Sequence, residues 1–340
     1  VLDRGTTPHE RTEAPLAEIV SAAMLLHAVS ALLELGVVER LKEGPRDLRE
    51  LALGSGAHEE RLLAVLRPVA AAGLVHESAP GTFELTPAGR HLRRDDPLGL
   101  RDLFRMCTHG DFFQAWTRLA RSVESGRTAF ELQTGSDLFL YLAERPEEAE
   151  LFHRAMNASA PADVLLEAAD LSGARVVADL GGGEGATIAA VLRACPASTG
   201  VLFDLPDVVA GAGPLLRREQ VADRCDVVAG DFFDGVPDGA DVYVMARVLQ
   251  NWPPEEAVRI LRNVRAAMSG TSRLLVVGHL SESTRPSPFV EAIGLSMFVL
   301  YGAVSRTSEQ YEALFAEAGL ALSRTHRVRD GESVMDVRRA

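Results

Sequence analysis

The sequence predicts an α/β fold: a Rossmann-like, mostly parallel sheet in the C-terminal half, preceded by an all-helical, winged-helix N-terminal part. Three observations carry this. From Val176 onward, short apolar runs alternate with helical stretches. The first run enters a helix through Gly181-Gly182-Gly183-Glu184-Gly185. The N-terminal third reads as helices followed by two short strands around Ala79-Pro80-Gly81, the layout of a winged helix-turn-helix.

At 340 residues the chain is long enough for more than one domain. The expected division is 1–97 for a winged-helix-like dimerisation domain, 98–170 for linking and pocket helices, and 171–340 for the ligand-binding sheet. Apolar residues at 47% and charged residues at 24% are globular values. A net charge of −13 argues against nucleic-acid and anionic-membrane surfaces. Cys107, Cys195 and Cys225 are too few and too far apart for a disulfide framework or a zinc cluster, and the nine His show no close ligand spacing, so no metal is expected. A reducing, cytoplasmic setting follows, and the polar start is not laid out as a secretory signal.

Taken in order, Ile19 to Leu41 gives one or two helices with wide apolar faces, broken at Gly36, expected to be buried rather than membrane-spanning because His27, Ser30 and Glu34 interrupt the run. Arg46 to Leu53 and Glu59 to Ala72 are helices, and Leu74 to His76 with Thr82 to Leu85 the strands of the wing. DNA binding is disfavoured: residues 1–95 hold 11 Lys and Arg against 14 Asp and Glu, and the second helix opens on His58-Glu59-Glu60, where a recognition helix would meet phosphates. Leu98 to Thr108, Phe112 to Glu124, Asp137 to Ala143, Pro146 to Ser159 and Pro161 to Ala169 read as helices. Their aromatic and sulfur side chains, among them Met106, Phe113, Trp116, Phe152 and Met156, are mostly core by spacing. The rest, with His109 and Asn157 as polar handles, would line a pocket for a flat apolar substrate. Strands follow at Val176 to Ala178, Val201 to Phe203, Asp226 to Gly230, Asp241 to Met245 and Arg273 to His279. Helices follow at Ala186 to Ala194, Glu255 to Met268 and Ser308 to Gly319, and Leu320 to Val328 with Ser333 to Arg338 closes the sheet.

The glycine turn satisfies G-x-G-x-x-A, yet Asp179 would stand where phosphate oxygens belong and the turn holds no Lys or Arg. A cationic ligand with a free amine and a ribose fits better than a dinucleotide. Asp179 can hold an ammonium, directly or through water. Asp204 can accept from both ribose hydroxyls, and Asp231 from an adenine amine while Phe232 covers a ring face. Together they describe an adenosine with an amino-acid tail.

The combination DLGGGEG, VLFDLP, GDFF and VLQNWPPEEAVRILRNVRAAM resembles the S-adenosylmethionine-dependent small-molecule O-methyltransferases, including bacterial polyketide-tailoring and anthracycline-type members, over nearly the whole chain. The resemblance implies a class I methyltransferase domain and S-adenosyl-L-methionine as cofactor, held by Asp179, Gly181, Gly182, Gly183, Asp204, Leu205, Asp231, Phe232, Arg247 and Trp252. It implies an intertwined homodimer built from the N-terminal helices, and a small aromatic or polyketide substrate of natural-product or antibiotic biosynthesis, contacted also by Met297 and Tyr301. One departure stands out. Where most of the family has L-H-D-W, with the His as general base, this chain has Leu249-Gln250-Asn251-Trp252, and the supporting Glu is replaced by Gly278. An amide cannot take a proton near neutral pH. The expectation is a methyltransferase that works by positioning and desolvation on a phenol or carboxylic acid, with Gln250 and Asn251 orienting the acceptor and His109 as the alternative base. The alternative is a cofactor-retaining hydroxylase, decarboxylase or ring-forming catalyst on the same scaffold.

Overall fold

The computed structural model describes residues 8–96, 100–158, 162–281, 288–303, 305–329 and 332–340. The chain forms two compact units, Val1–Phe113 with Arg154–Ser159, and Gln114–His153 with Ala160–Ala340.

In the first unit a long helix, Pro8–Glu34, ends before Gly36, whose φ of 67° lies in the left-handed region that favours glycine. Its C-terminal half contributes Val29, Leu32 and Leu33 to a core shared with Leu51, Leu62, Leu66 and Phe83. Its N-terminal half corrects the expectation of burial: Leu16, Ile19, Val20 and Met24 are exposed. By length and composition alone, Pro15–Glu34 would suffice to cross a membrane. The expected helix at Arg46 begins two residues later, because Arg46–Asp47 (β1) pairs with the wing. Asp47 then caps the helix Leu48–Ser55 by accepting from the backbone NH of Arg49 at 2.8 Å. After the helix Glu59–Ala71, strands Val75–Ala79 (β2) and Thr82–Leu85 (β3) complete a three-stranded sheet ordered β1-β3-β2. Helices Leu100–Thr108 and Pro146–Ala158 match expectation, the latter divided between the two units. Phe112 to Glu124 is two helices, Gly110–Trp116 and Leu119–Ser125, broken where the NH groups of Thr117 and Arg118 bond three residues back.

The second unit is built on seven strands: Val176–Leu180 (β4), Thr199–Asp204 (β5), Cys225–Ala229 (β6), Val242–Ala246 (β7), Arg273–His279 (β8), Leu320–Arg329 (β9) and Glu332–Arg339 (β10). They lie in the order β6-β5-β4-β7-β8-β10-β9, the first five parallel and the last two antiparallel. β4 has β5 on one side and β7 on the other, so the strand order reverses there and a crevice opens at its carboxyl end. Each face carries its own core, one with Tyr243, Leu261 and Phe315, the other with Ile188, Leu192 and Leu275. Four helices were not foreseen: Ala129–Thr134, Pro206–Val209, Ala212–Arg218 and Pro288–Tyr301.

Candidate active site

The glycine turn is shaped from beneath by Asp179. This side chain is 1% exposed, and its Oδ2 accepts from the backbone NH of Ile188 at 3.1 Å, tying β4 to the helix Ala186–Ala194. Oδ1 is buried with no hydrogen-bond partner among the described residues. Gly181, Gly183 and Gly185 take φ values of 69°, 62° and 92°, which L side chains rarely adopt. Gly182 is needed for a different reason: a Cβ there would stand 2.6 Å from Asp179 Oδ2 and from Leu202 Cδ1. Above Gly183 there is open space. The turn is thus tight on its protein side and bare on its ligand side.

Burial pushes the Asp179 carboxyl up to about 7, with the Asp204 carboxylate adding to the push and the Ile188 NH opposing it. Asp204, at the end of β5, accepts from Gly183 N at 2.8 Å and Leu205 N at 2.7 Å, and burial raises it too. Asp231, just past β6, accepts from Phe233 N at 2.8 Å. The loop it heads is pinned by Asn263, whose Nδ2 donates to the carbonyls of Phe232 and Phe233 at 2.7 and 2.9 Å. The three acids therefore sit at the carboxyl edge of successive strands. Phe232 reaches the turn itself, its Cε1 lying 3.6 Å from where a Gly181 Cβ would be.

Trp252 is the centre of an aromatic group. Phe232 and Phe233 meet its indole edge-to-face at 5.6 and 4.8 Å, and Phe139 stacks on it at 5.7 Å and on Tyr301 at 5.8 Å. Phe139, one of the aromatic side chains of the 98–170 helices, and Phe233 were not expected beside Trp252.

Gln250 lies in the one-turn helix Leu249–Asn251 after β7 and is buried. Its Oε1 accepts from the backbone NH of His279, and its Nε2 donates to the sulfur of Met297 at 2.9 Å. Gly278 makes room: a Cβ there would stand 3.1 Å from Gln250 Oε1. Asn251 instead donates to the carbonyl of Arg247, four residues back. Arg247 has the left-handed φ of 57° and pairs with Glu332.

Of the other expected contact residues, Phe152 is buried and Trp116 half-buried in the second unit. Met106 (buried), Phe113 (half-buried), His109 and Met156 (both exposed) belong to the first unit, where Phe113 meets the His27 ring at 5.2 Å. The side chain of Asn157 lies outside the described residues. Desolvation pushes the Tyr301 phenol up, so it keeps its proton at neutral pH. Among the described residues no three His, Cys, Asp or Glu side chains are grouped to hold a metal ion.

A doubly wound sheet with a glycine turn at its switch point, one acid per strand end and no cation in the turn defines an adenosine-binding methyltransferase fold rather than a dinucleotide one. A family model for the O-methyltransferase domain matches residues 116–321. A phenazine O-methyltransferase of Lysobacter antibioticus is 34% identical over 326 residues, 95% of each chain. An 8-amino-8-demethylriboflavin N,N-dimethyltransferase of Streptomyces davaonensis is 35% identical over 94% of this chain and 92% of its own. The crystal structure of a calicheamicin-biosynthesis methyltransferase with S-adenosylhomocysteine bound superposes with a TM-score of 0.83 at 32% identity, covering 100% of both chains. The chain belongs to the O-methyltransferase family. It is an S-adenosylmethionine-dependent enzyme, and the orphaned Asp179 oxygen and the bare face of the glycine turn fit the ammonium and backbone approach of that cofactor.

Proposed function

We propose that the enzyme methylates an acidic hydroxyl, a phenol or a carboxylic acid, on a small aromatic natural product, without a protein general base. The observation that carries this is Gln250: an amide held at both ends, by His279 N and by Met297 S, stands where the family's base would be. When bound, the cofactor supplies a methyl group on a cationic sulfur. Asp179, Asp204 and Asp231 would hold its ammonium, ribose and adenine, Leu205 and Arg247 would flank it, and Trp252 with Phe232 would close on its rings. Phe139 and Tyr301 continue that aromatic surface toward a flat acceptor. A general base contributes roughly 10²- to 10⁴-fold, whereas holding reactants in line supplies effective molarities of about 10⁵ M or more. An acceptor already ionised before it binds loses little by the missing His.

The test incubates the enzyme with donor and a panel of phenols, carboxylic acids and aromatic amines, and follows methylated product and demethylated donor by mass spectrometry. Methylated acidic hydroxyls support the reading. Methylation confined to amines, or no transfer despite tight donor binding, overturns it. A homodimer working in the cytoplasm completes the proposal, supported by the exposed apolar face Leu16, Ile19, Val20 and Met24 and by three free cysteines. Sedimentation at micromolar concentration should give twice the 36.5 kDa chain mass, and a monomer would refute the dimer.

A further inference from the structure

We infer that Arg306 is a positioning residue for the methyl-transfer site, holding the turn that carries Gln250 and Trp252. Arg306 is 4% exposed, and among the described residues no carboxylate pairs with it. A buried guanidinium without a counter-charge is expensive unless its donors are all aimed at acceptors. Here two of its donors are aimed at the turn, Nη1 donating to the carbonyl of Leu249 at 3.1 Å and Nη2 to the carbonyl of Trp252, and a further hydrogen bond goes to the Tyr311 hydroxyl. Those two carbonyls bracket the turn Leu249–Asn251, so one planar fork fixes both of its ends.

The anchor is itself anchored. Arg306 forms a parallel bridge with Leu280, just past the end of β8, and its carbonyl accepts from Ser281 N at 3.0 Å. Its guanidinium also lies 5.8 Å from the centre of the Tyr311 ring, and the Tyr311 hydroxyl is 3.5 Å from where a Gly278 Cβ would stand. The same β8 end gives Gln250 its hydrogen bond from His279 N. Arg306 thus references the turn to the strand that meets Gln250 from the other side. Lysine cannot do this, because a single ammonium does not present two donors in a fixed plane to carbonyls at opposite ends of a turn.

The catalytic half of this inference rests on the proposed methyl transfer, and the structural half does not. The experiment separates them using Arg306→Met and Arg306→Lys in protein labelled with 5-fluorotryptophan, which has two tryptophans, Trp116 and Trp252, with Trp116→Phe assigning the signals. In ligand-free Arg306→Met the Trp252 fluorine resonance should shift or broaden while that of Trp116 stays. kcat should fall at least tenfold and donor binding should weaken, because Trp252 flanks the cofactor, with Arg306→Lys intermediate in both. An unmoved Trp252 signal overturns the inference whatever the activity, and so does a moved signal with wild-type kcat. Should Arg306→Met fail to fold by circular dichroism, Arg306→Lys is read by the same criteria. If the wild-type enzyme transfers no methyl group, the proposed function fails, and the fluorine signals alone decide whether Arg306 sets the turn.

Discussion

Replacing Asp179 by Asn should stabilise the protein and weaken cofactor binding at once, the mark of a residue kept for function. The folded carboxyl titrates at about 7 against an ordinary 3.8, raised because burial disfavours its charge. Below pH 3.8 it is protonated in folded and unfolded chains alike and contributes nothing to pH dependence. Between 3.8 and about 7 the unfolded chain ionises while the fold holds its proton, so stability falls as pH rises, and above 7 the full cost is present. Three pH units at 1.36 kcal/mol each give on the order of 4 kcal/mol. Asn keeps an oxygen for the NH of Ile188 and carries no charge. Urea unfolding should therefore show Asp179→Asn and wild type close together at pH 4 and separating by up to about 4 kcal/mol at pH 8, the variant being the more stable. Donor affinity should move the opposite way, about 10- to 100-fold weaker at pH 8, the loss of one charged hydrogen bond. Titration calorimetry at pH 6 in two buffers of different ionisation enthalpy should find close to one more proton released on donor binding by wild type than by the variant. Unfolding free energies that run parallel across this pH range, with equal proton release, would refute the reasoning.

Three further outcomes follow from the same geometry. Gly182→Ala forces a methyl group to 2.6 Å from Asp179 Oδ2 and Leu202 Cδ1, and should lower stability by about 1–3 kcal/mol and weaken donor binding at least tenfold; isothermal titration checks it. Gln250→Leu removes the acceptor for buried His279 N and should destabilise by about 1–3 kcal/mol, yet stay within about tenfold of wild-type kcat on an ionised acceptor; a loss of 10³-fold or more would make Gln250 part of the chemistry. Burial pushes the Cys225 thiol up to about 11, leaving on the order of one thiolate in 10³ at pH 8, so iodoacetamide should modify it in urea and spare it in the native protein, as peptide mass mapping would show.

The parallel sheet was legible because its strands are short apolar runs, three of them with an acid at or just past the end, and β8 was read to the residue. The cofactor edge was legible because glycines and acids at strand ends have few other uses. What could not be read was set by contacts distant in sequence. Met297, which the resemblance gave as a substrate contact, meets Gln250 across 47 residues, and Arg306, which no patterned segment singles out, meets Leu249 across 57. The helix Pro288–Tyr301 is apolar on nearly every side, so it shows no stripe for a 3.6-residue period to reveal. The first helix misled in the opposite sense, since its apolar N-terminal half is exposed in the single chain. The resemblance located the missing base, but only the structure shows that both ends of the Gln250 amide are engaged and that the amide of Asn251 is turned to its own backbone.

The absence of a protein base is tested most directly by the pH dependence of kcat at saturating donor for a series of phenols of graded acidity. The break in each profile should follow the pKa of the acceptor, with no pH dependence for acceptors already ionised across the range. One break at a fixed pH near 6 to 7, shared by every acceptor whatever its own acidity, would mean that a group of the enzyme takes the proton.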